Sequence, residues 1–156
     1  MVPAPIVVRN LLSDLLGREV AVTPAEPVVT ADLPTTVLAV YVDNAVRLSA
    51  VIGLELSLAA FAGAALGLLP AGGAEDCVKE KSLSPMLAEN VKELCNVLTG
   101  LLNRAGGSHH RLHHVYLPGE DVPADASAHL LAFGQRLDLT VDVPRYGEGK
   151  LSLSLA

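Results

Sequence analysis

The sequence predicts a single α+β domain, residues 1–156, in which a mainly antiparallel sheet is covered by helices on one face. Three observations support this fold class. The length of 156 residues fits one domain. The last third of the chain contains segments in which apolar and polar residues alternate, which is typical of strands with one solvated face. Earlier segments repeat apolar residues at helical spacing. Because 51% of the residues are hydrophobic but only 3% are aromatic, the core must consist of small aliphatic side chains.

The N-terminal half of the sequence contains signals for both helices and strands. Its predicted elements are a helix between Pro5 and Gly17, an edge strand or bent connection within residues 19–31, strands over residues 35–43 and 45–53, and a helix over residues 55–68. Pro is favoured at the first helical position and Gly just past the end, which sets the limits of the first helix. Pro24 and Pro27 exclude residues 19–31 from a central strand. The Asp43-Asn44 pair suits a hairpin turn between the two strands.

The C-terminal half predicts one long helix followed by strands. Its predicted elements are a polar loop over residues 70–84, a helix over residues 85–104 and strands within residues 111–117, 129–133, 135–143 and 150–156. Ser84 can cap the long helix and Pro85 can occupy its first position. Gly147-Glu148-Gly149 is predicted to join the last two strands. The alternating C-terminal strand is expected to leave an edge exposed, which favours a homodimer that continues the sheet.

Charge and composition exclude several classes of function. A net charge of −6 and a pI of about 5.2 argue against binding to nucleic acid, whose phosphates require a basic surface. Cys77 and Cys95 belong to no metal-binding pattern, which favours buried thiols in a reducing, cytoplasmic compartment. No basic segment precedes the apolar N-terminus, so we expect no signal peptide. Residues 50–69 are apolar but contain Glu55, which favours a strand running into a buried helix over a membrane span.

The long helix has a core side and a polar side. Its core side is predicted to consist of Leu87, Val91, Leu94, Leu98, Leu101 and Leu102. The opposite side, which we call the polar ridge, consists of Glu89, Glu93, Asn96, Gly100 and Asn103. The like charges one turn apart cost about 0.2–0.5 kcal/mol, and a Gly inside a helix costs about 1 kcal/mol relative to Ala. A helix face that is simply exposed to solvent would explain a polar ridge. However, the like-charge pair and the glycine are unfavourable for the helix itself, which favours a surface that a partner approaches closely.

On this ridge the sequence resembles the CheC/CheX/FliY family of chemotaxis phosphatases, and most closely its CheX branch. The family motif has Asp or Ser, three residues, Glu, two residues, Asn and, further on, Pro. Glu93 and Asn96 match the E-x-x-N part of the motif, and only one such motif is present. Glu89 stands at the Asp or Ser position, and Pro118 follows Asn96 after 21 residues, one fewer than in the family pattern. The order of elements also resembles CheX over nearly the whole chain.

The resemblance implies a hydrolase that dephosphorylates the aspartyl phosphate of a response-regulator receiver domain in two-component signalling. Glu93 and Asn96 would be the catalytic residues, with Glu93 pairing with a Lys of the regulator and Asn96 orienting the attacking water. Glu89, Gly100 and Asn103 would contact the partner. The resemblance implies no cofactor of the protein's own, since Mg²⁺ would be carried by the regulator, and it is consistent with a homodimer.

Two alternatives remain open at this stage. The chain can be a catalytically degenerate CheX-like interaction or adaptor module, of a signalling or flagellar-switch type, because Glu89 replaces the usual Asp or Ser. It can also be an unrelated α/β domain whose ridge is only solvated.

The segment SHHRLHH contains four of the five His residues and raises the question of a metal site. On a helix His109 would align with His113, and His110 with His114, as Zn²⁺ ligands often do. The preceding Gly106-Gly107 and the β-prone residues that follow favour a polar loop that enters a strand. We therefore predict no metal site. His129 lies in an apolar run, and the acids of LPGEDVPAD suit a solvated turn.

Overall fold

The computed structural model describes residues 2–103 and 109–156. We number its elements in chain order. The helices are α1 (Pro5–Leu16), α2 (Leu56–Leu66), α3 (Ala71–Glu80), α4 (Pro85–Val97), α5 (Thr99–Leu102) and α6 (Ala124–Leu131), with a 3₁₀ segment at Thr30–Thr35. The strands are β1 (Ala21–Pro24), β2 (Thr36–Val42), β3 (Leu48–Glu55), β4 (Arg111–Tyr116), β5 (Arg136–Val143) and β6 (Gly147–Leu155).

The six strands form one antiparallel sheet in the order β1-β5-β6-β3-β2-β4. This confirms the predicted α+β class with a single, mainly antiparallel sheet. The prediction that the C-terminal strand exposes an edge is wrong, because β6 lies between β5 and β3. Leu155 is paired with Ala50 on one side, and Ser154 with Arg136 on the other. Among the strands of the described residues, those at the edges of the sheet are β1, which is four residues long and ends in Pro24, and β4.

Most of the core lies between the first face of the sheet and helices α1, α2, α4 and α5. Alternate strand residues such as Tyr41, Ile52 and Leu153 point into this layer and are fully buried. Two glycines of β6 let α2 come close: a Cβ at Gly149 would lie 2.5 Å from the amide nitrogen of Leu58. Gly147 and Gly149 therefore belong to β6, and the turn before it is formed by residues 144–146, not by the glycines as predicted.

The second face of the sheet is partly covered by α6. Leu130 packs over Gly53, where an added Cβ would lie 2.9 Å from a Leu130 methyl group. The guanidinium of Arg136 donates to the Leu130 carbonyl at 3.0 Å and pairs with Asp138 at 2.7 Å. The two serines of β6 on this face, Ser152 and Ser154, are buried, with Ser152 only 1% exposed. The alternation of leucine and serine in β6 therefore does not indicate a solvated face.

Three predicted elements are wrong for reasons that involve packing. Residues 71–80 form α3 instead of a loop, because Ala74 and Cys77 bury one side of this helix against α2. The predicted strand at residues 129–133 is largely part of α6, since its apolar residues meet the sheet at helical spacing. The predicted long helix is interrupted at Leu98, which separates α4 from α5. Within the two described ranges, no helix is long and apolar enough to span a membrane.

Candidate functional site

Local sequence signals set the start and the burial of α4. The Ser84 side chain accepts a hydrogen bond from the Leu87 amide at 3.4 Å, and Pro85 occupies the first helical position, both as predicted. The predicted core side is confirmed, since all of its members are buried: Leu87, Val91, Leu94, Leu98, Leu101 and Leu102. Burial of this stripe determines which side of α4 faces solvent.

Helix α2 fixes the position of α4 through close contacts. The side-chain amide of Asn90 donates to the Gly63 carbonyl at 3.0 Å. A Cβ at Gly63 would lie 3.2 Å from a Val91 methyl group, and one at Gly67 would lie 2.6 Å from the Asn90 side-chain nitrogen. The small residues of α2 therefore allow α4 to approach closely.

The sheet holds α4 near its C-terminal end. The hydroxyl of Tyr41 in β2 donates to the backbone carbonyl of Cys95 at 2.6 Å, and both residues are fully buried. Burial raises the pKa of Cys95 to about 12, so its thiol is protonated and unreactive at neutral pH. At the end of the helix the Leu98 amide donates to the Leu94 carbonyl at 2.9 Å.

Three members of the polar ridge lie exposed on one side of α4: Glu89, Glu93 and Asn96. Their spacings of four and three residues bring successive side chains together on the helix surface. None of the three side chains forms a hydrogen bond or an ion pair with another residue in the described part of the chain. Carboxylate and carboxamide groups on a rigid helix are thus directed outward together and are available to a partner.

The other two members of the ridge lie in or directly after α5. Gly100 is exposed, and among the described residues an added Cβ would meet only a Leu11 methyl group, at an ordinary contact distance of 3.6 Å. Asn103 is also exposed, but its side chain binds its own chain: the amide donates to the His110 carbonyl and the oxygen accepts from the His110 amide, both at 2.6 Å. Asn103 thus connects the end of α5 to the segment before β4.

The described residues of the His-rich segment, 109–114, form a polar connection that enters β4, as predicted. Gly106 and Gly107 lie outside the described residues. His110 is buried, and its Nδ1 lies 2.7 Å from the Ser49 hydroxyl oxygen. Burial, together with the nearby His109, lowers the pKa of His110. In the described ranges, no three His, Cys, Asp or Glu side chains converge in a way that would hold a metal ion.

Sequence reasoning missed the two side chains that anchor α4, Tyr41 and Asn90. A tyrosine in the apolar run TTVLAVYVD was a usable signal, because a buried tyrosine hydroxyl requires a hydrogen-bond partner. The identity of that partner depends on tertiary structure, since Cys95 lies 54 residues away.

Several solved structures share this architecture. In the crystal structure of the FliG–FliM complex from H. pylori, a chain matches with a TM-score of 0.56 and 10% identity, covering 96% of this chain and 86% of that one. FliY from Thermotoga maritima matches with a TM-score of 0.53 and 12% identity, covering 95% and 81%. CheX in the CheX–CheY–BeF3–Mg+2 complex from Borrelia burgdorferi matches with a TM-score of 0.56 and 14% identity, covering 94% and 90%.

The likeness is one of fold. Identities of 10–14% over almost the entire chain show that this protein has the α+β architecture of CheX, FliY and FliM. No family model and no curated protein matches the sequence.

Proposed function

We propose that this protein is a CheX-like phosphatase that hydrolyses the aspartyl phosphate of a response-regulator receiver domain. One observation carries the proposal: Glu93 and Asn96 are exposed on the same side of α4 and have no partner among the described residues. A carboxylate and a carboxamide held in this way can enter a pocket of another protein without first breaking contacts within their own chain.

The chemistry required of Asn96 is modest. An aspartyl phosphate is a reactive acyl phosphate, so catalysis of its hydrolysis consists mainly of positioning and charge stabilisation. A carboxamide oxygen can accept a hydrogen bond from water while its nitrogen donates to a phosphoryl oxygen, which an ionised carboxylate is unable to do. In the proposed complex Asn96 orients a water molecule for in-line attack on phosphorus, and the aspartate carboxylate of the regulator leaves.

Glu93 and groups of the receiver domain provide the charged interactions of the proposed complex. We propose that Glu93 pairs with a lysine of the receiver domain and thereby fixes the depth at which the ridge enters. The Mg²⁺ that neutralises the phosphoryl oxygens belongs to the receiver domain and is not bound by this chain. Glu89 and Gly100 border the site and contact the partner, whereas Asn103 already has both ends of its carboxamide engaged with His110.

The comparison with CheX supports the choice of partner. The CheX chain with this fold was crystallised with CheY in the presence of BeF3 and Mg+2. By analogy we propose a phosphorylated receiver domain as the partner of this chain, in a cytoplasmic chemotaxis-type pathway.

The decisive assay follows the loss of phosphate from purified receiver domains of the same genome, phosphorylated with acetyl phosphate. The wild-type protein should accelerate the loss, and Asn96→Ala should abolish most of the acceleration while it preserves binding. Glu93→Ala should weaken binding and catalysis together. Gln135→Ala and Glu75→Ala are matched controls, since they remove an exposed amide and an exposed acid from other surfaces. No acceleration with any receiver domain would refute the phosphatase proposal.

A second candidate is an interaction module of the same fold without hydrolase activity. Glu89 favours it, because this residue places a longer, charged side chain where the family pattern has Asp or Ser. FliM, which shares the fold, is found in a complex with FliG. Binding to a receiver domain without faster loss of phosphate would select this candidate over the phosphatase.

The proposed homodimer requires an edge other than the one predicted from sequence. Since β6 is central and β1 is short and ends in Pro24, we propose β4 as the edge that pairs with a second copy. Light scattering should then give a dimeric mass, and His113→Pro, at an exposed position of β4 that has no partner in the β2 register, should give a monomer. A monomeric mass of the wild type at assay concentration would refute the dimer.

A further inference from the structure

Tyr41 occupies an unusual place for a residue with a polar group. It lies in β2, its side chain points into the layer between the sheet and α4, and it is 0% exposed. A buried hydroxyl needs a hydrogen-bond partner. Tyr41 finds one in the backbone of α4, the Cys95 carbonyl at 2.6 Å.

The acceptor of this hydrogen bond, the Cys95 carbonyl, lies in the last turn of α4. Cys95 is one of the last four residues of α4, and the carbonyls of these residues have no partner within their own helix. Tyr41 supplies the missing donor for one of them. It does so one turn before the interruption at Leu98, where the backbone changes from α4 to α5.

The peptide group that accepts this hydrogen bond is the one that links Cys95 to Asn96. Its orientation therefore helps to set the direction in which the Asn96 side chain leaves the helix. No hydrogen bond to another described residue holds the Asn96 carboxamide, so its placement depends on the backbone of α4. Placement matters for a water-orienting group, because a shift of about 1 Å can reduce a rate by roughly 10²-fold.

We propose that Tyr41 is a positioning residue of the phosphatase site, which acts through the Cys95–Asn96 peptide group and holds the Asn96 carboxamide in line with the phosphoryl group. This inference rests on the proposed function. Tyr41 itself touches neither the partner nor the reacting atoms, because it is enclosed in the core.

The hydroxyl is a donor over the whole range of pH used in such assays. Burial raises the pKa of Tyr41 well above its ordinary value, and the nearby Cys95 thiol acts in the same direction. The hydrogen bond from Tyr41 to the Cys95 carbonyl therefore persists over this pH range. The pH profile of hydrolysis should be the same in wild type and in Tyr41→Phe.

The chain offers a matched control for the loss of this hydroxyl. Tyr146 also donates to a backbone carbonyl beside the end of a helix, that of Leu69, at the same distance of 2.6 Å. Leu69 follows α2 and lies outside the ridge. Tyr146→Phe thus removes the same kind of hydrogen bond away from the site.

The kinetic test compares Tyr41→Phe with Tyr146→Phe on a phosphorylated receiver domain. We expect Tyr41→Phe to lower kcat by about 10- to 100-fold with little change in KM, and Tyr146→Phe to retain both values, although both variants lower the melting temperature. Equal kcat values for the two variants, or an effect of Tyr41→Phe on KM alone, would overturn the proposal.

A second measurement separates this inference from the proposed function. Amide hydrogen exchange of the free protein should be faster at Asn96–Thr99 in Tyr41→Phe than in Tyr146→Phe, and the Asn96 carboxamide resonance should shift only in Tyr41→Phe. If the wild type does not hydrolyse any receiver phosphate, the proposed function fails and the catalytic part of the inference fails with it. If hydrolysis occurs but exchange and resonance are unchanged in Tyr41→Phe, the positioning role alone is refuted.

Discussion

Gly100→Ala should change stability and partner binding in opposite directions. Gly100 lies in the four-residue helix α5, and the added methyl group would contact Leu11 at 3.6 Å and no other residue in the described ranges. Ala is favoured over Gly inside a helix by about 1 kcal/mol. Because α5 is short, we expect a gain of about 0.5–1 kcal/mol, which corresponds to a rise in Tm of about 1–4 °C in a chain of this size.

Binding should weaken because the same methyl group faces the proposed partner. If the backbone of a receiver domain approaches Gly100 closely, an extra carbon there creates an overpacked contact that costs about 1–3 kcal/mol. The Kd should therefore rise by about 5- to 150-fold. The assay is calorimetric titration with a beryllofluoride-activated receiver domain, combined with thermal unfolding of the free protein.

Gly72→Ala is the matched control for this experiment. Gly72 lies in α3, and no atom of the described part of the chain is within 4 Å of an added Cβ, so the substitution should stabilise the protein without changing its affinity. If Gly100→Ala binds as tightly as the wild type, Gly100 is not in contact with the partner. If it destabilises the free protein, the described packing of α5 against α1 is incorrect.

Two further predictions concern the sheet. Gly149→Ala should destabilise the protein by about 1–3 kcal/mol in denaturant unfolding, because the new Cβ would lie 2.5 Å from the Leu58 amide nitrogen; a change within about 0.5 kcal/mol would contradict this close approach. Asp138→Asn should reduce the free energy of unfolding at neutral pH and make it less dependent on acid: burial raises the pKa of Asp138, but the hydrogen bonds and the charge of Arg136 outweigh burial and lower it. The stabilisation by the Asp138 carboxylate is present above about pH 4 and is lost as the pH falls through the pKa of the folded state. The free energies of unfolding of the wild type and the variant should therefore converge in acid. A difference between them that stays constant with pH would contradict this account.

The elements that sequence predicted well are those with strong local signals. Pro5 and Gly17 delimit α1, and Gly17 has the left-handed backbone, φ 67°, that favours glycine after a helix. The β2–β3 hairpin follows from two β-prone runs around Asp43-Asn44. The exposure of Glu93 and Asn96 follows from helical periodicity, because burial of the leucine stripe leaves one side of α4 for solvent.

The features that sequence did not predict depend on neighbours distant in the chain. The alternating serines of β6 predicted a solvated face, but they are buried because β6 is central and α6 lies over that side of the sheet. Asn103 was predicted to contact the partner, and the sequence did not indicate that its carboxamide binds the backbone of His110, seven residues later. The sequence made no prediction for the Tyr41 hydroxyl, whose contact with the backbone next to Asn96 depends on the tertiary structure.

The most direct test of the central claim asks whether the Asn96 carboxamide enters the phosphoryl site of a receiver domain. A receiver domain activated with beryllofluoride and loaded with Mn²⁺ in place of Mg²⁺ broadens NMR signals close to the metal. On titration, the side-chain amide signals of Asn96 should broaden strongly while those of Gln135 remain sharp. Binding that leaves the Asn96 signals as sharp as those of Gln135 would show that the polar ridge does not reach the phosphoryl group, and the phosphatase account would be wrong.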